Sequence, residues 1–150
     1  MCLPPPRLRR YARVLGLARH EATSLGAPAL GTEHLLLGLV REGRESGARL
    51  LAGVDPDPLR ALLPRAPWSP AAPPALTTRA AMAVGAAQRE ADRRGLPGLE
   101  VEGLLVAVLA DQQSAAVAVL ERLGIDVADL WSCAVVEVGR DAMPRRSVAG

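Results

Sequence analysis

The second half of the chain repeats the first. Sliding the sequence along itself by 69 positions sets Arg10 on Arg79, Gly16 on Gly85, Ala18 on Ala87 and Glu21-Ala22 on Glu90-Ala91. Gly26 and Pro28 then fall on Gly95 and Pro97, and Leu30, Glu33, Leu35 and Leu36 on Leu99, Glu102, Leu104 and Leu105. Further along the offset becomes 71, pairing Gly53-Val54-Asp55 with Gly124-Ile125-Asp126 and Leu59 with Leu130, as a short insertion or deletion in a turn would produce. An internal repeat governs every other reading, because each copy must be one structural unit.

The unit is helical. Hydrophobic residues make up 49% of the chain, mostly Ala, Leu and Val, with no Phe and only Tyr11, Trp68 and Trp131 as aromatics. Such an aliphatic core favours close-packed helices over sheets. In the first copy Tyr11, Val14, Leu15, Ala18, Ala22 and Leu25 keep helical spacing and define one buried face. Gly26 and Pro28 end that helix. Thr32 is the expected N-cap of the next, which buries Leu35, Leu36, Leu39 and Val40 and closes at Gly43. A short third helix is expected over Ser46–Leu51, and a fourth after Asp55 with Pro56 or Pro58 in its first turn. The second copy repeats the plan over about Thr77–Arg94, Glu100–Ala110, Gln113–Leu123 and Asp126–Val138. The expected organisation is therefore all-α, two tandem four-helix repeats packed as one domain: 7–63 and 76–138, joined by a stiff proline-rich linker over 64–75. Flexible ends are expected over 1–6 and 139–150.

Several function classes are disfavoured. All 18 basic residues are arginine, so there is no P-loop lysine and no Schiff-base lysine. The formal charge of +2 does not point to nucleic acid. Cys2 and Cys133 make no metal-ligand spacing, no apolar run approaches the ~20 residues of a membrane span, and the start has no signal-peptide core. A soluble cytoplasmic protein is expected. His20-Glu21 begins like a zinc-protease helix, but Ser24 stands where the second histidine belongs. Ser46 is one place off a nucleophile elbow. Cys133 is expected in the core, Trp68 and Trp131 over aliphatic surface near the repeat ends, and His34 as a packing or capping residue. Neither a catalytic constellation nor a metal or cofactor site is expected. The arginines at 7, 9, 10 and 13 form a basic cluster, either a solvated helix face or a docking surface for an acidic partner or, weakly, for nucleic acid.

Two stretches are specific enough to carry a resemblance. Ala12 to Ala22 reads ARVLGLARHEA, and Gly31 to Gly43 reads GTEHLLLGLVREG. Together they look like the Clp N-terminal repeat, and Leu99 to Leu105 takes the place of the signature in the second copy. The resemblance covers about Arg7 to Trp131 and implies an eight-helix domain with pseudo-two-fold symmetry, of the kind that precedes the motor modules of Clp-family unfoldases. It implies a non-catalytic module that recognises a substrate peptide, an adaptor or a phosphoarginine mark for delivery or sequestration. Its expected partners are a Clp unfoldase, adaptors and protein substrates, with neither membrane nor nucleic acid among them. The alternatives are a decoy that sequesters a Clp-targeting cyclic-peptide antibiotic, and a structural subunit of a Clp protease.

The ClpC-like branch further implies a phosphoarginine pocket in each repeat, built from a threonine at the start of the first helix and the glutamate of the GTEH signature. Copy two keeps Thr77 and Glu102, whereas copy one keeps Glu33 but has Leu8 at the threonine position. Carboxylates suit the guanidinium, and a hydroxyl with helix N–H groups suits the phosphate. Read from the residues alone, Glu33 and Glu102 serve the helix dipole and Thr77 is an N-cap. A partner or antibiotic surface is expected around Arg7, Leu8, Arg10, Leu76 and Arg79, although Arg7 and Leu76 stand where the resemblance implies aromatic residues.

Overall fold

The computed structural model describes residues 6–66, 74–96 and 98–142, with side chains described from Arg9 to Gly139 within those stretches. The elements run α1 (Pro6–Ser24), β1 (Ala29–Leu30), α2 (Thr32–Ser46), α3 (Pro56–Ala61), β2 (Ala75–Leu76), α4 (Thr78–Arg93), α5 (Val101–Ala110), α6 (Ala115–Arg122) and α7 (Val127–Ala142). The fold is all-α, apart from two residues at each of β1 and β2, which pair in parallel as Ala29 with Ala75 and Leu30 with Leu76. That pairing draws the end of the proline-rich connection back onto the first repeat. The rest of the connection, including Trp68, falls largely outside the described residues, as do Cys2 and the segments 1–5 and 143–150.

The duplication is visible in the hydrogen bonds. At the end of α1, Ala27 N–H donates to Ala22 O (2.9 Å) and Gly26 N–H to Thr23 O (3.0 Å); at the end of α4, Leu96 donates to Ala91 (2.9 Å) and Gly95 to Asp92 (3.0 Å). Both are Schellman caps, and both glycines are left-handed, with φ of 65° and 66°. α1 and α4 each present a buried face of small and branched residues, Val14, Ala18 and Ala22 in one and Ala83, Ala87 and Ala91 in the other.

The third helix of copy one is not formed. α2 runs past Gly43 to Ser46 and stops at Gly47, whose φ of 73° takes the chain out of helical space. Beyond Gly47 the chain makes a pair of turns, Ala52 N–H to Arg49 O and Val54 N–H to Leu51 O. The counterpart α6 does form, because copy two has the longer chain here and Ser114 caps it by accepting from Val117 N–H at 3.3 Å. Seven helices result among the described residues instead of eight. α7 continues past Val138 and Gly139 to Ala142, and Cys133 lies on its exposed side instead of in the core.

One apolar cluster runs through both repeats. α2 is its axis: it packs on α1 in its own repeat and on α4, α5 and α6 of the other. Hence Leu35, Leu36 and Leu37 are all fully buried, where an ordinary amphipathic helix would expose one of three successive positions. The α1–α2 approach is closest at Gly38, where a Cβ would stand 2.6 Å from the Val14 carbonyl oxygen and 3.1 Å from Ala18 Cβ. Gly38→Ala should therefore destabilise the protein by roughly 1–3 kcal/mol, despite alanine's higher helix propensity. A lower urea midpoint at unchanged m-value is the expected readout; an unchanged or higher midpoint would mean that the helices are not in contact there.

Candidate functional site

The signature run opens α2, and its side chains are engaged differently from the local reading. Gly31, not Thr32, is the N-cap: the Gly31 N–H donates to His34 Nδ1 at 2.9 Å. His34 is thus the capping residue, buried and neutral, with Nδ1 accepting and the proton on Nε2. Burial pushes its pKa down, against the charges of Glu33 and Glu21. Thr32 instead reaches into the second repeat, where its Oγ1 accepts from Ala116 N–H at 3.3 Å and satisfies one of the orphan donors of α6. Glu33 folds its carboxylate back over Gly31, where a side chain would collide with it, and stays partly exposed.

Thr77 is the N-cap of α4, its Oγ1 accepting from Ala80 N–H at 3.2 Å. Its own N–H donates to Leu30 O (2.9 Å), immediately before the α2 signature. Thr77 is therefore tethered next to the stretch that carries Glu33. Glu102 is occupied from elsewhere: Arg10 on α1 donates through Nη1 to Glu102 Oε1 (3.0 Å), and through Nε and Nη2 to both oxygens of Glu42 (2.8 and 3.2 Å). The structure thus sets Thr77 beside the start of α2, and sets Glu102 with Arg10 across the seam between repeats. Leu76 in β2 is 41% exposed. Arg7 and Leu8 belong to α1, but their side chains lie outside the described ones.

Glu42 is the member of this ion-pair cluster that the local reading missed. Its signal was in the repeat: the 69-residue offset sets Glu42 on Asp111 just as it sets Arg10 on Arg79. The second pair is formed as well, with Arg79 Nη1 donating to Asp111 Oδ1 at 2.9 Å and Oδ2 at 2.6 Å. The copies differ in burial. Glu42 is 3% exposed, whereas Arg79 and Asp111 are 51% and 35% exposed. Of the two arginines, Arg10 is the one that also takes a carboxylate from the other repeat.

A second buried carboxylate organises the first repeat. Glu21, 3% exposed, accepts from Arg41 Nη1 (2.8 Å) and from Arg60 Nε and Nη2 (2.8 and 2.7 Å), tying α1 to α2 and α3. Burial alone would raise its pKa, but the Arg60 hydrogen bonds and the charges of Arg60 and Arg41 outweigh that and hold it below the ordinary value of 4.5. Its counterpart Glu90 pairs with Arg93 along its own helix, at the surface.

The chain is similar to known proteins over most of its length. Residues 75–143 match the family of the Clp repeat (R) N-terminal domain. Chaperone protein ClpB of Oceanobacillus iheyensis is 32% identical over 123 residues, which is 79% of this chain and 15% of that protein. Chloroplastic chaperone protein ClpC2 of Arabidopsis thaliana is 29% identical over 159 aligned positions, 99% of this chain and 17% of that protein. The chain thus spans about a sixth of the length of these relatives. Among solved structures, the N-terminal domain of the Arabidopsis thaliana chaperone ClpD superposes with a TM-score of 0.71 at 23% identity, over 87% of this chain and 92% of that domain, a likeness of fold.

Two outcomes test these ion pairs. Arg10→Met strands the buried Glu42 and should cost about 2–3 kcal/mol, whereas Arg79→Met breaks an exposed pair and should cost less than about 1 kcal/mol. Equal losses in urea titrations would refute the assigned asymmetry. A carboxylate with a depressed pKa stabilises the fold above pH 4.5, its ordinary value, and ceases to as pH falls through its folded-state value. Glu21→Gln should therefore lower stability by about 2–4 kcal/mol near neutrality and flatten the acid limb of the stability–pH curve. An acid limb as steep as in the unsubstituted protein would count against Glu21 as its source.

Proposed function

The chain carries a Clp repeat N-terminal domain, and from that premise we propose that it is a non-catalytic binding module of the Clp proteolytic system, taking substrate segments, adaptors or phosphoarginine marks for delivery or sequestration. The observation that carries this reading is likeness to ClpB- and ClpC-type chaperones over 79% and 99% of the chain.

For the phosphoarginine form of the reading, the geometry favours the start of α2. No described arginine pairs with Glu33, while Glu102 is already held by Arg10. A ligand guanidinium entering beside Glu33 would meet a partly exposed carboxylate, with the Thr77 hydroxyl held close by through the Leu30 bond. At Glu102 the same ligand would have to displace Arg10 first.

Calorimetric titration with phosphoarginine tests this. Binding is expected, with Glu33→Ala removing it and Glu102→Ala weakening it far less. The reverse order would move the pocket to the Arg10 seam. No heat at millimolar ligand would eliminate the mark-receptor form, and a pull-down enriching no Clp component or client would then overturn the wider reading.

A further inference from the structure

The duplication also produces two surface grooves at equivalent places, and their chemistry has diverged. Each lies on the outer side of the first and second helices of its repeat, and each has a volume of about 640 Å³. The groove of the first repeat is walled by Arg9, Arg13, His20 and Arg41. The 69-residue offset puts Thr78, Met82, Arg89 and Ala110 at those positions in the second. Three of four basic positions are thus neutral in the twin, so the fold does not need charge there.

The basic residues are presented in a form suited to carboxylates. Arg13, 59% exposed, is held end-on by Glu45 through Nε and Nη2 at 2.8 and 3.0 Å, and Glu45 is itself exposed and exchangeable. Arg41 shares the carboxylate of Glu21 with Arg60, which takes both of its oxygens and Asp57 besides, so Arg41 is held there through Nη1 alone. Between the basic walls the surface is small. Ala12 and Gly16 line it, and no atom lies within 4 Å of where a Gly16 side chain would begin. Arg9 and His20 are eleven residues apart on α1, about 16 Å along the helix, the length of roughly five extended residues.

We infer that the α1–α2 groove of the first repeat docks an acidic protein segment, whose carboxylates take the guanidinium groups of Arg9, Arg13 and Arg41. The lining of the groove and the charge of the chain favour this class over nucleic acid. Among the described residues no Phe, Tyr or Trp side chain lines the groove for base stacking, and the formal charge of the whole chain is only +2. The assignment is independent of any guanidinium ligand at Glu33, because it concerns a different surface and the opposite charge.

Fluorescence anisotropy with fluorescein-labelled hexaglutamate tests it. Saturable binding is expected at about 50 mM salt, fading towards about 500 mM as the charges are screened. Exchanging the first repeat's residues for their twins, Arg9→Thr with Arg13→Met, should weaken binding about fivefold or more. The reverse exchange in the second repeat, Thr78→Arg with Met82→Arg, should create a second site of similar affinity, a gain that misfolding cannot mimic. The inference is overturned if hexaglutamate does not bind, or if the second-repeat exchange adds no site. It is also overturned if labelled oligothymidylate binds more tightly through the same arginines.

Discussion

α2 is covered on both sides, and the rest of the molecule is arranged around that fact. A helix packed by α1 on one face and by the second repeat on the others cannot keep a polar stripe, so three successive leucines are buried at its start. It cannot keep bulk everywhere either. At Gly38 the α1 backbone comes too close for any side chain, which is why a residue poor in helix propensity occupies the middle of the most buried helix. The polar groups that α2 carries inward then need partners from other elements. His34 caps the helix's own start, Thr32 caps α6 in the other repeat, and Glu42 takes Arg10. Through these, the α2 signature serves as the seam between the repeats.

The two copies have divided their roles along this seam. Repeat one holds its helices with buried ion pairs, Glu21 with two arginines and Glu42 with Arg10. Removing one partner from such a pair leaves a charge in a poorly solvated place, so these pairs constrain geometry more than they add net stability. Repeat two keeps the same positions at the surface, as Glu90 with Arg93 and Arg79 with Asp111, where solvent makes them nearly dispensable. The seam also fixes which carboxylates are already paired: Arg10 crosses from the first repeat to take Glu102, and no described arginine takes Glu33.

Much of this was legible in single residues. Glycine and proline after each first helix marked its end, and both ends are left-handed glycine caps with the same pair of bonds. The buried face of α1 followed from spacing, and Asp55 with Pro56 located α3. Elsewhere local signals competed. Gly43 was the expected stop of α2, but the helix runs through it and ends at Gly47, the residue that takes the left-handed conformation. The Ser46–Leu51 segment had helix-forming residues but neither the length nor the cap that α6 has. Cys133, on an apolar-looking helix, faces outward because α7 lies at the edge of the bundle and buries only one stripe.

By itself, the sequence determined that the chain is an all-α duplication, where α1 and α4 end, and which residues are twins, because periodicity, glycine caps and the 69-residue register are local or one-dimensional properties. Only the tertiary structure decided how the twins are used. Burial, and hence whether an ion pair is structural or incidental, depends on what packs above a residue, which is a property of the whole fold. Arg10 and Arg79 occupy the same register in their copies, yet one reaches across the seam to Glu102 and the other stays at the surface with Asp111.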